Sequence, residues 1–145
     1  MVKVAGLWEL GWNSPLQESY LWDFPLREYG VEDWRMAPIS GIKNNSHLTV
    51  KLTEYKTTHE MIRSLPDDYV KVFVDERGEI PLKEFEHPDK AVYIFGKVGE
   101  SAMKNKNMKE EDISIVVETV HGRGVMWPHQ CLVTVLHDRL IKNVR

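Results

Sequence analysis

The sequence predicts one α/β domain over residues 1–145, a mostly parallel sheet with helices on both faces. Three observations lead there. Apolar runs of strand length recur at residues 69–74, 91–95 and 113–117, and each stops at a polar or glycine-bearing loop. Segments with the start and stop signals of helices lie between or beside such runs. Strands alternating with helices bury both sheet faces, and 145 residues suffice for a real core.

The elements follow in order. Residues 2–7 are apolar apart from Lys3 and read as a first strand. Ser14, Pro15 and Gln17 have the grammar of a helix start: a capping serine, a proline at the first helical position and a glutamine three residues on. That helix runs to about Tyr29, Pro25 predicts a kink or break near Phe24, and Gly30 can end it. Residues 31–39 are a second strand, and 41–46 are turn-rich. Residues 47–55 alternate apolar and polar and suit a strand or an extended connection. Thr57 with Glu60 makes a capping box for a short helix over 58–65, stopped before Pro66. Val70, Val72 and Val74 alternate as a strand, a helical turn over 81–85 precedes the strand at 91, and residues 104–112 are a charged surface segment. After the run at 113–117, Pro128 opens a terminal helix. There Leu132, Val135, Leu136 and Leu140 share a stripe suited to packing or dimer contact.

Composition narrows the function. A hydrophobic fraction of 42% and a charged fraction of 28% are those of a soluble globular protein. The formal charge of −3 argues against holding nucleic acid by bulk electrostatics and leaves room for a local basic patch. The single cysteine, Cys131, excludes an internal disulfide and a zinc ribbon. The amino terminus lacks the apolar stretch of a secretion signal and no run reaches membrane-spanning length, so a cytoplasmic protein without membrane partners is expected.

Candidate chemistry gathers in three loops, at 75–78, 96–101 and 118–127, one after each of the best strands. If those strands are parallel neighbours, the loops meet at one sheet edge, where backbone groups near Gly96, Gly99, Gly122 and Gly124 can hold an adenine and a ribose. No dinucleotide fingerprint and no phosphate-loop lysine is present. His129 and His137 are eight residues apart, too far for one ion, so no metal site is expected; Cys131 sits in an apolar helical pattern that suits an inert thiol. Of the five tryptophans, Trp12 and Trp22 offer a base somewhere to stack, with core packing as the plainer fate, while Trp127 sits where a pocket wall would be.

The valine-rich strand, Val92-Tyr-Ile-Phe-Gly96 with its loop, Ile113-Ser-Ile-Val-Val117, and a final loop and helix together resemble the SpoU-like branch of the SPOUT RNA methyltransferases. The resemblance is to small members consisting of the catalytic domain alone, and its specific part is about residues 70–139. It implies a carboxyl-terminal trefoil knot, a homodimer, S-adenosylmethionine as cofactor and RNA as substrate, plausibly a tRNA ribose 2′-hydroxyl, with no DNA partner. The cofactor would be held at Val74, Asp75, Glu76, Phe95, Gly96, Gly99, Val117, Glu118, Val125 and Met126, with Trp127 as a wall. Arg27, Glu18 and His121 are the polar residues available for proton removal or RNA handling. The chain departs from the family pattern in four places. Lys97-Val98 follows Phe95-Gly96 with the nearest acid at Glu100, Val117-Glu118 stands for Ile-Pro, and Val125-Met126-Trp127 stands for the Ser-x-Asn loop. The segment from Asn13 to Phe24 lacks the family's arginine. Those departures support an alternative, a catalytically inactive cofactor- or RNA-binding protein on the same fold. They also keep open a small α/β enzyme of another class.

Overall fold

A computed structural model describes residues 1–10, 15–42, 47–103, 108–123 and 126–143. Its elements are β1 (Val2–Leu7), α1 (Pro15–Glu28), β2 (Asp33–Ala37), β3 (Lys51–Glu54), α2 (Thr58–Arg63), β4 (Val70–Val74), β5 (Ile80–Pro81), β6 (Ala91–Phe95), β7 (Ile113–Val116) and α3 (Pro128–Asn143), with a 3-10 turn at Leu82–Glu84 before β6. The strands form one sheet in the order β3-β2-β1-β6-β4-β7-β5, every pair parallel.

Alternation along each strand explains how helices come to cover both faces. Val72, Tyr93, Phe95 and Ile115 point to one side and pack with Trp22 and Leu26 of α1 and with Leu132, Val135 and Leu136 of α3. Phe73, Val92 and Ile94 point to the other side and meet Met61 and Ile62 of α2. Trp22 lies at the centre of the first face, its ring stacked on Trp34 at 6.3 Å and edge-on to Phe95 at 5.8 Å. It is therefore a core residue and offers no surface for a base; Trp12 lies outside the described residues.

Local signals behave as their chemistry dictates. Pro25 does not end α1, which continues to Glu28; the helix is held against the sheet by Trp22 and Leu26, both buried. The serine cap at Ser14 lies outside the described residues. Thr57 does cap α2, its hydroxyl accepting the Glu60 N–H at 3.1 Å. Thr57→Ala should cost about 1 kcal/mol, read as a lower urea midpoint with an unchanged slope. In α3, Leu132, Val135 and Leu136 are buried, while the last member of the stripe, Leu140, stays half exposed beyond the edge of the sheet.

One short element escaped the sequence. Residues 75–79 leave β4, cross the end of β7 and begin β5 on the far side, so β7 lies between β4 and β5. The crossing is tight. The Asp75 N–H donates to the Ile115 carbonyl at 3.0 Å, and a Cβ on Gly78 would stand 2.2 Å from the Ile115 carbonyl carbon and oxygen.

Candidate functional site

β6, β4 and β7 are adjacent and parallel, so their carboxyl ends open on one edge. A cavity of about 330 Å³ lies there, within the range of about 300–1,000 Å³ typical of small-molecule sites. The β4 end contributes Val74, Asp75, Glu76 and Arg77. The β6 end contributes Phe95, Gly96, Val98, Gly99, Glu100 and Ser101. Val117 comes from the end of β7, with Met126, Pro128 and Cys131 from the start of α3.

Hydrogen bonds fix the three loops to one another. Asp75 accepts from the Ser101 hydroxyl with one carboxylate oxygen and from the Arg77 N–H, at 2.9 Å, with the other. Arg123 donates to the Glu76 carbonyl at 3.2 Å, joining the third loop to the first. Lys97 and Glu100 close a turn through reciprocal backbone bonds of 2.8 and 2.9 Å. That turn folds back onto Gly96, where a Cβ would come within 2.5 Å of the Glu100 carbonyl oxygen. A side chain at this position would collide with the backbone of that turn.

Several residues expected from the sequence do line this cavity: Val74, Asp75, Glu76, Phe95, Gly96, Gly99, Val117 and Met126. Glu118 does not; its carboxylate turns away and accepts from the Lys83 N–H. Trp127 is not a wall either. It is 43% exposed and tilts against His129 at 5.7 Å, while its neighbours Met126 and Pro128 line the cavity. Val125 and Gly124 lie outside the described residues.

The three polar candidates do not converge on the cavity. α1 leaves the carboxyl end of β1 and returns the chain to the amino end of β2, which carries Arg27, in its last turn, to the opposite edge of the sheet. There Arg27 pairs with Glu28 and lies over the Phe24 ring. His121 is exposed in the turn closed by Thr119 and Gly122 and does not line the cavity.

Glu18 is fully buried, and burial pushes its carboxyl up to about 7 against the hydrogen bonds it accepts. It receives the Glu9 N–H at 2.7 and 3.0 Å, while the Glu9 carboxylate accepts from the Val98 N–H on the cavity wall. Glu18 thus supports the cavity at one remove. Glu9 itself was missed by sequence reasoning, because a charged residue after an apolar strand reads as a strand end.

Arg77, Val98, Glu100, Ser101, Pro128 and Cys131 line the cavity without having been anticipated there. Ser101 and Arg77 fall within loops the sequence did single out. Burial raises the Cys131 thiol to about 11, so it stays protonated and is a poor nucleophile. No group of three or more metal-binding side chains occurs among the described residues, and none of their helices is long and apolar enough to cross a membrane.

No protein-family model matches the sequence, and no curated protein matches it either. A solved structure does match in three dimensions. It is a Bacillus anthracis crystal structure described as a "putative RNA methyltransferase", similar with a TM-score of 0.72 at 13% identity over 98% of this chain and 94% of that one. The chain therefore shares that protein's α/β fold across nearly its whole length.

Proposed function

We propose that this protein is an S-adenosylmethionine-dependent RNA methyltransferase of the SPOUT type, with a tRNA ribose 2′-hydroxyl as the acceptor. The observation that carries this reading is the convergence of the three strand-end loops on one cavity. The shared fold agrees with it. So does the crossing of residues 75–79 over β7, which supports a knotted carboxyl-terminal half. Exposed Leu21 and Phe24 on α1, with Val133, Leu140 and Ile141 on the adjoining α3, support a homodimer.

The bound cofactor would supply an electrophilic methyl on a sulfonium centre. The chain's part is to hold it and to exclude competing nucleophiles. Backbone groups at the ends of β4, β6 and β7 surround the cavity, and the Asp75–Ser101 bond keeps two of those loops in register. The protonated Cys131 does not compete for the methyl. Asp75 is engaged by Arg77 and Ser101, and Glu100 by Lys97, which leaves Glu76 as the wall carboxylate without an ion pair among the described residues.

Calorimetric titration with S-adenosylmethionine should show one site per chain, and tritiated methyl groups should enter bulk tRNA. Gly96→Val should weaken cofactor binding at least about tenfold, roughly 1.4 kcal/mol, by pushing the turn at Glu100 and Ser101 out of place on the cavity wall. An unchanged dissociation constant would place the ligand elsewhere. A second reading, a binding protein without the chemistry, is favoured by the distance of Arg27 and His121 from the cavity and by the burial of Glu18. Cofactor binding without methyl incorporation into any RNA pool would select it.

A further inference from the structure

A second cavity, of about 500 Å³, lies beside the first at the carboxyl ends of β1 and β2, and the two share Glu100 and Ser101 as a common wall. We infer that this second cavity receives a backbone phosphate of the acceptor RNA strand, placing the adjoining nucleotide across the Glu100–Ser101 wall; the inference rests on the methyl-transfer reading above.

Charge carries it. Lys56, His59 and Lys97 line the cavity, against one carboxylate, Glu100, which is already paired with Lys97 at 3.4 Å. Lys56 and His59 form no ion pair among the described residues. The rest of the lining carries no charge, since Leu7, Ala37 and Pro38 are apolar and Thr57, Thr58 and Ser101 are neutral, so the Lys56 ammonium is left unbalanced there. In a chain of net charge −3, such a local positive excess at the mouth of the candidate site is where an anion gains most. A phosphate contact positions a strand without reading its sequence, which suits a site whose neighbour performs the chemistry. Ser101 links the two cavities mechanically, because its hydroxyl is bonded to Asp75 on the first cavity's far side.

The test compares wild type, Lys56→Glu with His59→Ala, and Lys51→Glu, a charge-changing control on the exposed edge strand β3. Each is titrated with S-adenosylmethionine, with a single-stranded RNA oligonucleotide at several salt concentrations, and with inorganic phosphate. The double variant should lose at least about tenfold in RNA affinity and flatten the salt dependence by about one phosphate's worth, a slope change near 0.7. Its cofactor affinity and melting temperature should match wild type, and the control should bind RNA as wild type does. Equal RNA affinity and salt slope for the double variant, with cofactor binding intact, overturns this inference alone. Tight binding of inorganic phosphate without RNA binding assigns the cavity to a free anion and overturns it too. A wild type that binds neither cofactor nor RNA removes the methyl-transfer reading along with it.

Discussion

Replacing Gly78 with alanine should destabilise the protein by at least about 3 kcal/mol, read as a large drop in the urea midpoint, and should leave little folded protein at 37 °C. The new Cβ would stand 2.2 Å from the carbonyl carbon and oxygen of Ile115 and 2.8 Å from the Val116 nitrogen. These are backbone atoms of a strand hydrogen-bonded on both sides, to β4 and to β5. They cannot swing away as a side chain could. Relief would require either the loop over residues 75–79 to lift from β7 or β7 to slide. The first breaks the Asp75 N–H bond to the Ile115 carbonyl, and the second breaks the parallel register. Because the same loop supplies Asp75, Glu76 and Arg77 to the cavity, any surviving Gly78→Ala protein should also bind cofactor weakly. A variant as stable as wild type would mean that the loop does not cross β7 at this distance.

The second large effect is on pH dependence. Between its ordinary value of 4.5 and about 7, the Glu18 carboxyl is protonated in the folded chain and ionised in the unfolded one. The folded state then binds more protons, so stability falls as pH rises through this window and is flat above it. The stabilisation is fully present below pH 4.5 and lost by about pH 7, and its size is roughly 3 kcal/mol. Glu18→Gln keeps a carbonyl oxygen for the Glu9 N–H and removes the titration. Urea unfolding at pH 4.5 and at pH 8 should therefore show the difference between variant and wild type changing by that amount, in favour of the variant at the higher pH. His87, whose pKa burial pushes down despite its bond to Asp138, acts in the opposite sense, but it is present in both proteins and cancels in the difference. Parallel stability profiles would mean that Glu18 ionises in place. Since Glu9 joins Glu18 to the Val98 amide, the same titration should be felt at the cavity wall.

Secondary structure followed closely from the sequence because it is written in short-range chemistry. Valines at alternate positions made β4, a threonine and a glutamate three apart started α2, and Pro128 opened α3. Those same signals located the strand-end loops, and Gly96, Asp75 and Val117 were read from them as lying near one another if the strands were neighbours. The unforeseen β5 is two residues long, too short to leave a periodicity.

Where the sequence went astray, the deciding contact was distant in the chain. A lone proline at position 25 signals a broken helix, yet Trp22 and Leu26 bury themselves against Trp34 and Phe95 and hold the helix through it. Trp22, for which core packing was the plainer of two readings, is confirmed there only by the sheet it meets. Arg27, Glu18 and His121 were grouped by residue type alone; the direction of α1 sent one to the far edge, burial enclosed the second, and the third stayed on an exposed turn.

By itself the sequence determined the longer strands and helices and the loops that border the cavity, because alternation, caps and glycines act over a few residues. Strand order, the passage of residues 75–79 over β7, and the basic cavity formed by Lys56, His59 and Lys97 were settled only in three dimensions. Each depends on residues distant in the chain meeting across a core whose shape no local pattern records.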